Sequence, residues 1–370
     1  MIPRHVLASI PQRRDSRILE SLGMNDLADD LIINTASGGF SRNTVFHARV
    51  GSGESLIQYA IRSWESATYD ADRILQILAF QTHLNEKQIA APKPIRWLNN
   101  QWIIPYERSF WTIESWLAGQ SLAIGSDVSD QLLSKIVESL FDLHTAGRTF
   151  GTIQQQSKGI ADRIHKISEW KERISIAKVE KLVREVSSLG TLANLSSEQL
   201  SRIQLGFGIA IQAIQQLGNY WIRECIRFQN HKPDCHWINR DLWRNNILVD
   251  QDRITGIVDF GASRIDWPIL ELVRCLSSFL DPHDSRWQSA LNHYQEVPIS
   301  LELPLELENI RMLDHVATTL SLLYWYDWLT LKDLESIDRQ KPAIWTRVEE
   351  LAIRMTSHYR KHSNDHRSIK

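Results

Sequence analysis

Two hydrophobic periods divide this chain. From Leu31 to Leu117 apolar residues come in short runs bounded by turns; from Asp130 onward they return every three or four positions. Ahead of both, Ile18, Leu19, Leu22 and Leu27 form a partial helical face in an Arg/Asp-rich stretch, 1–30. The short runs predict strands over 31–33, 44–50, 55–64, 94–97 and 102–105. Among them one helix is expected over 72–80, where positions 74, 75, 77, 78 and 80 are apolar. Ser37-Gly38-Gly39-Phe40-Ser41 and Gly51-Ser52-Gly53 read as tight turns in which the backbone approaches closely. In the second region Leu132, Leu133, Ile136, Leu140 and Leu143 share a helical face that closes at Leu143-His144. A long charged amphipathic helix follows over 160–186. Ser196 and Gln199 have capping-box spacing ahead of a face made by Ile203, Phe207, Ala210, Ile214, Leu217 and Trp221. Further helices are expected over 270–280, 305–329 with Pro304 at its start, and 343–359. The pattern therefore gives an N-terminal helical extension, 1–30, a strand-rich segment from Leu31, and a mainly helical segment from Asp130.

Composition narrows the classes. The chain has 370 residues, 43% of them hydrophobic, which is enough for a large core. A formal net charge of −2, with basic residues scattered, argues against nucleic acid as a partner. Three cysteines, Cys225, Cys235 and Cys275, have neither an even count nor metal spacing, so no disulfide framework is expected. Met1 is followed by Ile-Pro-Arg-His rather than an apolar signal core. The most apolar helical stretch, 316–329, is too short to span a bilayer and contains Asp327. The expectation is a cytoplasmic protein without a membrane span. Fourteen tryptophans read as large core side chains, with an aromatic ligand cage as the alternative.

The chemistry concentrates between Asn239 and Gly261. Asp241 is followed five residues later by Asn246, then by apolar runs at Ile247–Val249 and Ile254–Val258 and by Asp259-Phe260-Gly261. Phosphoryl transfer needs a carboxylate at the attacking hydroxyl, plus an amide oxygen and a second carboxylate to hold Mg²⁺ on the nucleotide phosphates. These three residues have the types and spacing for those tasks. A loop carboxylate, a turn amide and a strand-end cap are their bland alternatives.

This stretch resembles the protein-kinase-like superfamily, and within it the aminoglycoside phosphotransferase and choline kinase branch. The Asp-Leu-Trp variant at 241–243 is also similar to ketosamine kinases, and Asp266-Trp267-Pro268 with Glu271-Leu272 resembles that branch's exit from the metal-binding strand. The resemblance implies a two-lobed α+β kinase-like fold with an antiparallel-sheet small lobe, 31–117, for ATP, and a larger, mainly helical lobe, 118–370. It places Ser37, Gly38, Gly39 and Ser41 over the nucleotide phosphates, although an ordinary hairpin turn would look the same. It places Arg62 on the α- and β-phosphates, where the branch has lysine; a surface arginine is the alternative. It expects an acidic partner for that cation on the following helix, with Asp72 nearest and Glu65 just before. Glu114 to Leu117, including Trp116, would be the inter-lobe hinge that meets the adenine edge through its backbone. Asn246 and Asp259 would hold Mg²⁺. Asp241 would serve as the catalytic base, and Arg244 would neutralise the transferring phosphate or make a salt bridge. His144 reads as a core histidine tied to the catalytic loop, and Arg240 as paired with an acid away from the site. The implied reaction moves the γ-phosphate of ATP to a hydroxyl of a small molecule. Asn239, in place of the usual histidine, and Arg62 keep open a catalytically inactive binding or scaffolding module. For the acceptor, Asp314, Asp327 and Glu335 would suit an aminoglycoside, and Tyr324, Trp325, Tyr326 and Trp328 a choline cage, with surface acids and core packing as the alternatives.

Overall fold

The computed structural model describes residues 32–35, 44–50, 57–97, 100–106, 108–122, 127–176, 195–295, 306–330 and 342–365. The expected N-terminal extension, Ser37, Gly38, Gly39, Ser41, Pro304 and Glu335 lie outside them. The strands are β1 (Ile32–Thr35), β2 (Val45–Val50), β3 (Ile57–Glu65), β4 (Pro94–Ile95), β5 (Ile104–Tyr106), β6 (Ser109–Ser115), β7 (Gln120–Ser121), β8 (His236–Ile238), β9 (Ile247–Asp250), β10 (Arg253–Ile257) and β11 (Arg264–Asp266). The helices are α1 (Ala71–Glu86), α2 (Asp130–Arg148), α3 (Lys158–Ile176), α4 (Ser197–Asn230), α5 (Pro268–Ser277), α6 (Arg286–Gln295), α7 (Leu307–Thr330) and α8 (Pro342–Asp365). The chain divides into two compact units: Met1–Ile124 with Asn245–Ser263, and Gly125–Arg244 with Arg264–Lys370.

The first unit is built on an antiparallel sheet of order β1-β2-β3-β6-β4, with β5 also pairing with β6. Its register sets Val45, Arg62 and Thr112 side by side, and likewise His47, Ala60 and Glu114. Directly opposed residues point to one face, so Arg62 and Glu114 share a surface. Phe46, Ala48, Ile61, Trp111 and Ile113 fall on the other by alternation. Helix α1 starts where Asp70 accepts the Arg73 N–H, and it buries Ile74, Ile77, Leu78, Phe80 and Leu84. Leu75 faces out. Burial of each large aliphatic contributes about 1.5–3 kcal/mol. A second sheet, β10-β9-β7, carries the hairpin 247–257, which bulges between Ile254 and Gly256. Gly119 turns the chain into β7 at φ +114°, and a Cβ there would lie 2.2 Å from Thr255 Oγ1. Only glycine fits that turn without strain.

The second unit is mainly helical. Ser196 and Gln199 form the reciprocal capping box at the head of α4. Ile203, Phe207, Ala210, Ile214 and Trp221 of α4 are buried, and the helix packs against α3, α7 and α8. Pro268 occupies the first turn of α5. Strands β8 and β11 pair antiparallel and lie against α2 and α3, respectively. Gly147 of α2 lets β8 approach: a Cβ would meet the Trp237 carbonyl oxygen at 1.9 Å. Trp325 and Tyr326 are buried core residues, while Tyr324 is exposed, which favours packing over a cage for the cluster on α7.

Candidate active site

In the sheet unit, β3 presents Arg62 to two carboxylates. Its Nη1 donates to Asp259 Oδ1 at 2.9 Å, and its Nε lies 3.9 Å from Glu114 Oε1. The guanidinium also sits 5.1 Å over the Trp64 ring. Burial alone would depress Arg62, but Asp259 and Glu114 outweigh it and hold the cation charged. Glu114 is buried; desolvation pushes its carboxyl up, partly offset by Arg62 and by the Gln81 side chain, which donates to Oε2 at 3.1 Å. The acid beside Arg62 therefore comes from β6. Asp72 and Glu65, the sequence-based choices, are not its ion-pair partners; helix α1 contributes Gln81 instead. The hinge expectation made the Glu114 side chain indifferent, whereas it is the part that faces Arg62. The Trp116 N–H donates to the Gln58 carbonyl, and its ring stacks on His47 at 3.8 Å.

The hairpin brings the next two residues together. Val258 N–H donates to the Asn246 carbonyl at 2.9 Å, so the 3₁₀ turn Arg244–Asn246 ends beside Asp259. Asn246 is buried. Asp259 is half exposed and adopts φ 60°, ψ 70°, a left-handed conformation that aspartate tolerates better than most residues. Among the described residues no three His, Cys, Asp or Glu side chains gather as a metal cage. One carboxylate and one amide oxygen are a donor set that suits Mg²⁺, which retains waters and takes further oxygens from phosphates. The Nε of Arg62 is buried with no hydrogen-bond partner, and a nearby anion would satisfy it.

In the helical unit, Asp241 sits on a loop whose backbone is held from below. Glu271 of α5 accepts the Asn239 N–H at 3.1 Å and also bonds the backbone of Arg240 and Leu242. Arg240 is left-handed, φ 71°, a conformation that costs about 1–3 kcal/mol. Asn239 is fully buried, and its Oδ1 accepts the Asp241 N–H at 3.2 Å. Thus the residue standing where the branch has histidine caps the loop. His144 is buried between Tyr294 Oη at 2.7 Å and Glu271 Oε2 at 3.1 Å. Burial raises Glu271 to about 8 and lowers His144 to about 3. His144 is tied to the loop through Glu271.

The arginines of the loop differ in use. Arg240 faces Asp162 and Asp266, each at 3.5 Å. Arg244 is buried: its Nε donates to the Ser278 carbonyl, its N–H donates to Ser278 Oγ, and its guanidinium lies 5.1 Å from the Phe279 ring centre. Those contacts favour an anchoring use over phosphate neutralisation. Arg274 of α5 donates to Asp241 Oδ1. Sequence reasoning missed Gln81, Glu271 and Arg274 as site residues. Glu271 was visible only as part of the Asp-Trp-Pro exit, and the other two carry no local signal.

A family model described as phosphotransferase enzyme family matches residues 33–306. No curated protein matches the chain. Among solved structures, an amicoumacin kinase in complex with AMP-PNP and Ca²⁺ is similar with a TM-score of 0.58 and 13% identity, over 92% of this chain and 93% of that one. An aminoglycoside phosphotransferase from Alicyclobacillus acidocaldarius gives a TM-score of 0.53 at 12% identity, over 92% and 94%. A choline kinase from Cryptosporidium parvum gives 0.52 at 12% identity, over 94% of each chain. At such identities the likeness shows the fold, which is the expected kinase-like α+β arrangement. Among the described residues no helix is long and apolar enough to cross a membrane.

Proposed function

This chain belongs to the phosphotransferase enzyme family, and on that footing we propose that it transfers the γ-phosphate of ATP, with Mg²⁺, to a hydroxyl of a small molecule. The observation that carries the reading is the pairing of Arg62 with Asp259 across 197 positions of sequence, beside Asn246. A cation and a carboxylate thereby meet in the sheet unit, and a backbone bond ties Asn246 to the residue before that carboxylate. Arg62 is the residue to grip the α- and β-phosphates, and Glu114 with Gln81 fixes its direction. Asn246 and Asp259 are the residues to hold Mg²⁺, which when bound neutralises charge on the phosphates. Trp116 and the segment that follows it are assigned to the adenine, and Ser37, Gly38, Gly39 and Ser41 to the phosphates. We assign the nucleotide to the small lobe, 31–117, with the hairpin, and the acceptor to the helical lobe.

In the proposed reaction the acceptor oxygen bonds to the γ-phosphorus as the bond from that phosphorus to the β,γ-bridging oxygen breaks. ADP leaves with the electron pair, and the hydroxyl proton passes to the Asp241 carboxylate. The loop makes this plausible physically, because three backbone bonds to Glu271 and the Asn239 cap fix where that carboxylate stands. Positioned acid–base groups contribute about 10²–10⁴-fold to rate. A screen of hydroxyl compounds for acceptor-dependent ADP release tests the reading. Asp241→Asn should lower turnover of any acceptor by about that factor. Full turnover in that variant, or no acceptor-dependent ADP release across the screen, would favour the inactive binding module.

A further inference from the structure

Asp241 lies among arginines, all within the helical unit. Arg274 of α5 donates from Nη2 to Asp241 Oδ1, and the two side chains retain 36% and 37% of their exposure. Arg347 of α8 sets its guanidinium 4.6 Å over the ring of Trp243, two residues along the same loop. Two cations from two helices therefore bracket the segment 241–243. Burial first, and the charge of Arg274 second, depress Arg347, against the opposing carboxylates of Glu350 and Asp241. Arg163 of α3 is depressed by burial, with Arg274 contributing.

The acids around these groups do not balance them. Asp241 faces Arg274, and Glu350 accepts from Arg347 at 3.1 Å. Asp162 and Asp266, which also face Arg163, are each ion-paired to both Arg240 and Arg264. The Nε atoms of Arg163 and Arg274 are buried with no hydrogen-bond partner. Conversely, the carboxylates that would suit a cationic acceptor are engaged. Asp314 is buried between Arg354 and His358, and Asp327 is paired with Arg173.

We propose that the acceptor carries an anionic group, a carboxylate or a phosphate ester, near the hydroxyl that receives the phosphate, and that Arg274 and Arg347 bind it. The inference rests on the phosphotransferase reading. A planar guanidinium offers two donor edges to such a group. An arriving anion draws Arg274 from Asp241 and leaves that carboxylate facing the hydroxyl. A polycationic acceptor would instead meet two like charges beside the catalytic loop.

Glucose, glucosamine, gluconate and glucose 6-phosphate share most of a scaffold and differ in charge. Their binding to the full chain, and that of inorganic phosphate, is measured by calorimetry beside ADP release. Gluconate, glucose 6-phosphate or inorganic phosphate should bind at millimolar concentration and glucosamine should not. Binding of gluconate alone identifies a carboxylate acceptor, and of the phosphate ester alone a phosphorylated one. Hydrogen bonds to charged groups are strong enough that Arg274→Ala and Arg347→Ala should weaken anion binding by about 10-fold or more. Arg274→Lys should retain part of it, and keeps the test valid if the alanine variant fails to fold. Preference for glucosamine, anion binding insensitive to Arg274, or no binding of any of the three anions overturns the proposal. Mg²⁺-ATP binding is recorded on the same samples: its absence would sink the phosphotransferase reading itself, whereas ATP bound without anion sinks only the acceptor class.

Discussion

Glu271 shows how one buried side chain holds the backbone of the loop 239–242. Burial raises its carboxyl from the ordinary 4.5 to about 8, and lowers His144 and His236 from 6.5 to about 3. The sign follows from which state binds more protons. Below pH 6.5 the histidines add stability as pH rises, because the unfolded chain protonates them and the folded one does not. Between about 6.5 and about 8 Glu271 dominates this cluster: the folded protein keeps a proton that the unfolded chain has lost. Stability should therefore fall across that window, by at most about 1.4 kcal/mol per pH unit. Glu271→Gln keeps an oxygen for the loop N–H groups and should flatten the fall, as read by denaturant unfolding at a series of pH values. An unchanged slope in the variant would contradict the assignment. At this scale the sequence made Asp241, Asn246 and Asp259 legible because their spacing is local. Gln81, Arg274 and the part the Glu114 side chain plays beside Arg62 were not, because each acts through a partner at least 33 residues away. Sheet register and helix packing set those partners, and no short pattern encodes them.

Elements explain why Arg62 has the partners it has. Strands β3 and β6 run antiparallel with Ala60 opposite Glu114, so the Glu114 carboxylate emerges one pleat from Arg62 on the same face. Helix α1 then supplies Gln81 rather than an acid. Removing this carboxylate leaves a buried guanidinium with Asp259 alone and strips Gln81 of its acceptor. Glu114→Ala should destabilise the fold by about 1–3 kcal/mol and weaken Mg²⁺-ATP, while Glu114→Gln should recover stability better than nucleotide affinity. Wild-type affinity in both variants would return Glu114 to a purely structural place. Most elements followed from apolar periodicity and caps: the capping box at Ser196 and the 247–257 hairpin were readable, whereas α5 begins at Pro268, two residues ahead of the expected 270–280. Helix α6 was not expected. Its buried residues, Trp287, Ala290, Leu291 and Tyr294, make a face too short to stand out from a loop, and its packing on α2 secures it. Strands β8 and β11, three residues each, escaped for the same reason.

For the whole molecule, the proposed reaction would divide its tasks between the two units. Arg62, Glu114, Asn246 and Asp259 belong to the sheet unit, and Asp241 with Glu271, Arg274 and Arg347 to the helical one. The hairpin 245–263 clusters with the sheet although it follows the helical segment in sequence, a placement that periodicity alone does not reveal. The kinase-like fold was legible because the compound pattern from Asn239 to Gly261 is specific; the anion site we propose was not, because Arg274 and Arg347 come from two separate helices, α5 and α8. The central claim is that Arg62, Asn246 and Asp259 form a Mg²⁺-nucleotide site while Asp241 serves the acceptor. Calorimetric titration of Mg²⁺-ATP into the wild type, Asp259→Asn and Asp241→Asn tests it most directly. Binding should be seen in the wild type, persist in Asp241→Asn and weaken sharply in Asp259→Asn. No binding to the wild type, or equal affinity in all three, would contradict the account.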